Sequence, residues 1–557
     1  MIQREVETDV LIVGGGCGGS AAALALVAAG VPCILTEPTS MLGGQLSSQG
    51  VPPDENPWVD GNGPGAPTEF FAANRSYLEL RSLIRTELVD GLTPSARSQS
   101  LLNPGGGWVS RLCFEPRLAD VGLRRMLGAL PEQTCLTIEC GWRPIGAEVV
   151  GDHVHAVEFE TGSGTVVVRA RIVLDATEDG EVLALAGVEH AIGGESADVY
   201  GELHAPADGH GSIDVLDQQA CTWCFAVEHD PCGEHVIDRP AMYDAWRSHV
   251  PEMQPAWTGP LFSWTVPSHN EAGRLTLPLV PPPDVPSDGL ELWRYRRIVD
   301  GAAHVDGRPD VSLMNVVQMD FWRAPLLGVS SEARERALRD AREQSKCFLY
   351  WMQTEAPRHD SASRKGYPGL RLSGASLGSD DGFALAPYIR EPRRMSAMTM
   401  LTEAHVGAQQ RREQGETTAE GTEFVRGGQF ADSIAIGHYP IDLHPSCSGR
   451  NSVYVDACPY QIPLRSIVPK RVRNVVASGK CLGVSHIANG CTRLHPVEWA
   501  VGEAAGTLAA LCVQESNEPH AVVEHRSRVR ALQELLAERG VPLRWPWDDG
   551  EQEWQSR

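Results

Sequence analysis

The chain has 557 residues, 42% of them apolar and 22% charged, the balance of a globular protein with material for a large core. Its 48 basic residues are outnumbered by 72 acidic ones; a net charge of −24 without a basic block speaks against nucleic acid or an anionic membrane as partner. The opening MIQREVETDV lacks an apolar signal core and no apolar run is long enough to span a bilayer, so a cytoplasmic location is expected.

Residues 10–19, VLIVGGGCGG, place a short apolar run before Gly14, Gly16 and Gly19 in G-x-G-x-x-G spacing. The run reads as a buried strand, and SAAALALVAAG as a helix closed by Gly30. VPCIL reads as a second strand ending at Glu37, eighteen positions after Gly19. Strand, glycine turn, helix, strand, acid is the order that binds a dinucleotide. The glycines admit a pyrophosphate, the helix N-terminus favours its charge, and the acid accepts hydrogen bonds from a ribose.

Residues 43–107 are rich in glycine and proline, a long irregular excursion of the kind that is functional or disordered. A helix is expected around RLADVGLRRMLGAL, then a small meander from HVHAVEFE and TVVVRARIVLDAT. From about 195 to 400 the texture changes. ACTWCFAVEH and LMNVVQMDFW read as strands, PLVPPPDVPSD as a linker, and a helix from about Ser331 carries Leu338, Ala341, Ser345 and Phe348 on one face. Cys221 and Cys224, three apart on a strand, point to opposite sides and are not expected to bridge. The run RREQGETTAEGTEF suits a solvated helix end or loop, and the other cysteines show no framework spacing. RVRALQELLAERG gives a last amphipathic helix, stopped at Gly540.

Three further segments suit a ligand longer than NAD. LGGQLSSQG offers Gly44 to a pyrophosphate and turns Gln45 inward; IVLDATEDG ends a strand with Ala176 and Asp179 beside adenosine. NVVASGK ends another strand at Gly479, and His495 with Pro496 opens the helix that carries Val497. Small residues at Gly502, Ala504, Ala505 and Gly506 allow that helix to pack closely on a strand. Its N-terminus could stabilise charge on a reduced flavin. A chain that leaves for two hundred residues and returns to finish one site is the arrangement of FAD proteins.

With VGGGCGGSAAALALVAAG, LGGQ, NPGGGWVSRLCFEP, LDATEDGEVLALAG, APYIREPRRM, IGHYPIDLHP, PYQIPLRSIVP and SHIANGCTRLHPVEWAVGEAAG, the chain resembles the bacterial FAD-dependent oxidoreductases with a glutathione-reductase-like FAD domain. The resemblance covers most of the chain. It implies an α/β fold, a Rossmann-like FAD-binding domain with an inserted α+β substrate domain. The expected division is 1–195 and 425–515 for the two parts of the FAD domain, 196–424 for the insert and 516–557 for a helical tail. Two positions depart from the family: Glu178 stands where glycine is usual, and Lys480 where an acid often binds the ribityl chain.

For the chemistry, His486 is a candidate base, and Arg493 a candidate holder of an anionic substrate group or the flavin carbonyl. His495 is read as a helix cap beside the flavin. In YIREPRRM, Arg390 is the candidate for facing the ligand, while Glu391, Arg393 and Arg394 are expected to tie domains together. Asn315, Gln318 and Asp320, alternating on one strand, could turn a polar face to the cavity; His438, Tyr439 and His444 are weaker candidates. His204 and His210 lack the partners of a metal site, and no metal is expected.

The leading expectation is an FAD-dependent dehydrogenase or oxidase, moving hydride from a small organic substrate to flavin N5, its electron acceptor and oligomeric state left open. The alternative is an FAD monooxygenase reduced by NAD(P)H, against which the missing Gly-Asp at 479–480 weighs; the lack of a second complete glycine motif separates the chain from pyridine-nucleotide disulfide reductases, and the tail RWPWDD lacks the halogenase signature. A tRNA-directed flavoprotein would need a basic face, which a charge of −24 makes improbable.

Overall fold

The computed structural model describes residues 2–130, 133–267, 274–280, 291–359, 361 and 363–548. Strand β1 (Ile2–Val13) leads through the glycine turn into helix α1 (Cys17–Ala28) and strand β2 (Cys33–Glu37). The stretch 43–107 is not irregular throughout, since it holds a helix at Arg75–Leu83; helix α2 (Arg117–Ala129) comes after it, then β3 (Leu136–Cys140), β4 (Arg143–Val150), β5 (His153–Thr161) and β6 (Gly164–Asp175). The sheet runs β3-β2-β1-β6-β5-β4, and a seventh strand from the C-terminal part of the chain pairs with β6. β3, β2, β1 and β6 are parallel; β5 and β4 form the expected antiparallel meander at the edge. Register aligns Val13 with Thr36 and Asp175, so the carboxyl ends of the central strands open on one crevice, where ligands bind in open α/β sheets.

The middle of the chain builds a second sheet: β7 (Phe225–His229), β8 (Arg297–Val299), β9 (Val311–Met314) and β10 (Leu370–Leu372), antiparallel in the order β8-β9-β7-β10. Helix α3 (Ser331–Thr354) is capped by Ser330 Oγ, which accepts from Ala333 N at 3.3 Å. Its Ala337, Ala341, Phe348 and Met352 sink into an apolar core with Phe262 and Trp264, separate from the first. LMNVVQMDFW is not one strand. After β9 the backbone makes a 3-10 turn at Val317–Met319, and Gln318 leaves the expected polar face to donate to Ser263 O at 2.7 Å. Cys221 and Cys224 are free thiols. Residues 281–290 of the proline-rich run lie outside the described residues.

The chain then returns. Strands β11 (Ser433–Gly437) and β12 (Tyr460–Pro463) pair with each other, and β13 (Val475–Ala477) is the seventh strand of the first sheet. Helices α4 (His486–Thr492), α5 (His495–Glu515) and α6 (Arg526–Glu538) complete it. Of the small residues of α5, the two glycines meet a helix rather than a strand. A Cβ on Gly502 would stand 2.0 Å from Gly18 O, and one on Gly506 2.5 Å from Ala22 O, so α1 and α5 cross backbone to backbone. Both helices are apolar almost all round because both are buried. This core also takes in Met395, Ala397, Leu401 and Val406, well before residue 425, and Leu532 and Leu536 of the tail. Among the described residues no helix is long and apolar enough to cross a membrane.

Candidate functional site

At the crevice the glycine turn does what its spacing predicts. Gly14 has φ +103°, and a Cβ there would lie 2.3 Å from Ala176 O; a Cβ on Gly19 would lie 1.9 Å from Gly14 O. Gly16 starts α1 with no side-chain cap, leaving the helix N-terminus for an anion. Glu37 closes β2: its Oε2 accepts from Gly15 N at 2.9 Å, its Oε1 from Thr39 N and Oγ1 at 2.9 and 2.7 Å. Burial pushes its pKa up to about 7 against those hydrogen bonds. A cavity of about 250 Å³ opens here, lined by Gly14, Gly16, Glu37, Gly44, Ala176 and Asp179 among others. The Asp179 carboxylate is taken by Arg334 of α3 at 2.7 Å, so it ties the insert to the nucleotide fold while lining the cavity.

Glu178 lines the same cavity. Glu178 Oε1 would lie 2.3 Å from a Cβ on Gly44 and 2.7 Å from one on Gly16, wedging a carboxylate between the two glycine faces. Glu178 pairs with the buried Lys480, whose ammonium also donates to Ile389 O at 2.7 Å. The two positions that depart from the family are thus partners in one ion pair. Burial works against the Lys480 charge, but Glu178 and Glu498 outweigh it and raise the pKa. Gln45 turns inward, donating to Glu498 and, at 3.0 Å, to Arg493 O. Gly479 lies against Glu498, and burial lifts Glu498 to about 7.

At the N-terminus of α5, His495 Nδ1 accepts from Asp54 N at 3.0 Å, which leaves the proton on Nε2. Burial, then Lys480, Arg296 and Arg493, hold its pKa down at about 3, so the ring is neutral. Val497 is buried one turn into the same helix. Gln45 Oε1, Ser478 Oγ, Glu178 Oε1 and His495 Nε2 are buried along this path with no hydrogen-bond partner among the described residues. Unpaired buried polar atoms are costly, and a glycine cradle at one end with polar atoms to satisfy beyond it fits a long polar cofactor such as FAD.

Past His495 the insert contributes a polar cluster around Tyr388. Arg390 stacks its guanidinium 4.7 Å from the Tyr388 ring centroid and lies 3.2 Å from Asp320. Asp320 takes His444 Nδ1 at 2.6 Å, and Asn315 stands 3.5 Å from Arg390. Arg493 donates to the Tyr388 hydroxyl at 2.6 Å and to Asp442 O at 3.0 Å. Arg390 and Arg493, 103 positions apart in the chain, therefore meet on one tyrosine.

Two members of this cluster escaped the sequence. Asp54, in the loop GVPPDENPW, is 6% exposed, and no hydrogen bond or ion pair reaches its carboxylate among the described residues. Burial raises its pKa even though Arg296, Arg493 and Arg390 all pull it down. Arg296, one residue before β8, is the other. The irregular composition of 43–107 marked the first segment as worth attention; nothing local marked Arg296.

His486, the expected base, is elsewhere. Its Nδ1 donates to Glu391 at 2.8 Å and its Nε2 accepts from Arg450 at 2.9 Å, while its backbone N–H goes to Glu195. With both ring nitrogens used, its place is in the lattice that Glu391, Arg394 and Glu195 make between insert and nucleotide fold. His438 packs edge-on to Trp58, and His204 pairs with Glu403. Among the described residues no group of three histidines, cysteines or carboxylates is arranged to hold a metal.

The parallel sheet, the glycine turn at its carboxyl edge and the returning C-terminal strand and helix define a two-part dinucleotide-binding fold. The chain belongs to the FAD dependent oxidoreductase family, which it matches from residue 9 to 536, and FAD is its cofactor. Among solved structures it is similar to p-nitrophenol 4-monooxygenase PnpA from Pseudomonas putida DLL-E4, with 11% identity, 96% of this chain and 89% of that one covered, and a TM-score of 0.33. It is similar also to a geranylgeranyl bacteriochlorophyll reductase-like protein (Ta0516) from Thermoplasma acidophilum, with 10% identity, 96% and 84% covered, and a TM-score of 0.33. L-proline dehydrogenase from P. horikoshii matches with 16% identity, 35% and 26% covered, and a TM-score of 0.18. The chain spans less than half the length of several structures it matches, that dehydrogenase included. No curated protein matches the sequence.

Proposed function

We propose that this FAD-dependent oxidoreductase is a dehydrogenase or oxidase of a small organic substrate, with Asp54 as the group that takes the substrate's proton. The observation that carries this is a buried, unpartnered carboxyl of raised pKa, held by its own backbone against the neutral His495. A carboxyl so placed is a better base than one in water.

In this reading Gly14, Gly16, Gly19 and the N-terminus of α1 hold the pyrophosphate, with Gly44 and Gly479 facing them. Glu37 holds the ribose, Ala176 and Asp179 border the adenosine, and Gln45, His495 and Val497 meet the flavin end. When bound, FAD would supply a two-electron acceptor for hydride from the substrate carbon. Asp54 accepts the proton from the oxygen or nitrogen on that carbon, so the substrate loses one hydride and one proton in all. Arg390 and Arg493, fixed by Tyr388, orient the substrate, and the lattice around His486 holds the insert over it. A separate acceptor then removes the two electrons.

Anaerobic titration of the purified protein with NADPH, following the visible flavin bands, tests the reading. Flavin that stays oxidised until an organic donor is added supports it. Rapid bleaching by NADPH overturns it in favour of a monooxygenase or reductase.

A further inference from the structure

Arg296 is nine-tenths buried, yet its Nε and Nη1 have no hydrogen-bond partner among the described residues. Its Nη2 makes a single contact, 3.5 Å from the Tyr295 hydroxyl, and the guanidinium stacks 4.8 Å from the Tyr295 ring centroid. The next residue shows the contrast. Arg297 is fully matched, by Gly105 O at 2.7 Å, by Asp300 and by Asp310, both at 2.8 Å. Buried guanidinium N–H groups without a hydrogen-bond partner cost folding free energy, so a chain that keeps them there has a use for them.

The neighbours say what would match it. Of the three guanidiniums around Asp54, Arg390 has Asp320 at 3.2 Å and Arg493 has Asp442 at 3.5 Å. Arg296 has no carboxylate within 4.0 Å among the described residues, and its own electrostatic neighbours are Tyr295, Asp54, Tyr439 and Tyr388. Its nearest carboxylate partner is Asp54, which helps raise its pKa, so what is left over is not a charge but the unmatched Nε and Nη1 donors, in a wall of phenols. A carboxylate meets those donors while adding one negative charge beside Asp54, whereas a phosphate dianion would add two. Tyr295 covers one face of the guanidinium and leaves its edge donors for a planar, two-oxygen partner.

We infer that the substrate is a small organic acid, and that Arg296 binds its carboxylate while the carbon to be oxidised lies towards His495 and Asp54. This rests on the reading of the site given above, and it adds the substrate class and a specificity-determining residue.

The binding arm of the test uses the FAD-loaded protein and needs no turnover. Benzoate and its neutral counterpart benzamide are titrated separately, with acetate, propanoate and inorganic phosphate alongside, while the visible flavin bands and the melting temperature are followed. Benzoate is expected to perturb the flavin bands at concentrations at least tenfold below benzamide. Arg296→Met should keep the FAD spectrum and lose at least 30-fold in benzoate affinity. Arg296→Lys, for the case that the methionine variant does not fold, should bind benzoate about tenfold more weakly than the parent. The inference is overturned if no carboxylate perturbs the flavin, if benzamide equals benzoate, or if phosphate binds more tightly. It is equally overturned if the folded Arg296 variant binds benzoate within threefold of the parent. Asp54→Asn separates the two readings: it should keep benzoate binding and lose turnover. A fully active Asp54→Asn protein that still binds benzoate through Arg296 would remove the proton acceptor and leave the carboxylate site standing.

Discussion

The pair Glu178–Lys480 makes the sharpest prediction about cofactor binding. The Glu178 carboxylate occupies the space between Gly16 and Gly44, and one of its oxygens has no partner there. A pyrophosphate entering that cradle meets a like charge, and Lys480 must serve both. Two unit charges 4 to 8 Å apart at an effective dielectric of 20 interact by about 2–4 kcal/mol. The Glu178 side chain is 25% exposed and can swing towards solvent, which cuts the repulsion to about 1.4 kcal/mol, a factor of ten in affinity. Glu178→Gln should therefore bind FAD about tenfold more tightly than the parent. Lys480→Met leaves carboxylate and pyrophosphate together without their cation and should weaken binding by about 2.7 kcal/mol, a hundredfold. The double variant should fall between the two, nearer the parent than Lys480→Met. The assay is titration of the apoprotein with FAD, read by quenching of flavin fluorescence. Weaker binding by Glu178→Gln, or unchanged binding by Lys480→Met, would refute the argument that this pair stands in the path of the phosphates.

Three further outcomes are expected. The raised pKa of Asp54 places the acid limb of kcat/KM above the usual aspartate range, with activity falling as pH drops through it; Asp54→Asn should remove that limb, and no limb from His495 should appear above about pH 3. Glu37, with a pKa raised from 4.5 to about 7 in the folded protein, contributes stability below pH 4.5 that is lost as pH rises towards 7. Melting temperatures of the apoprotein should show Glu37→Gln gaining on the parent across that window and level outside it. Gly502→Ala puts a methyl 2.0 Å from the Gly18 carbonyl oxygen, both atoms on helix backbones that cannot yield, and should lower stability by about 3 kcal/mol, visible as a lower melting temperature and weaker FAD retention.

The sequence by itself determined the nucleotide end. Gly14, Gly16, Gly19 and Glu37 are local: a turn, a helix start and a strand end within thirty residues, where backbone sterics leave little choice. Apolar runs likewise fixed β1, β6 and α5, and helical periodicity fixed α3. The substrate end was decided only by the tertiary structure. Asp54, Arg296, Arg390, Asp442 and Arg493 come from a loop, a strand edge and three distant segments, and their burial, charge matching and missing partners are properties of the assembled pocket. The same holds for His486, whose chemistry as an isolated residue suggested a base, and whose partners Glu391 and Arg450 make it a tie between two parts of the fold. A side chain's type is written in the chain, but whether its charge is paired depends on what the fold brings within a few ångströms of it.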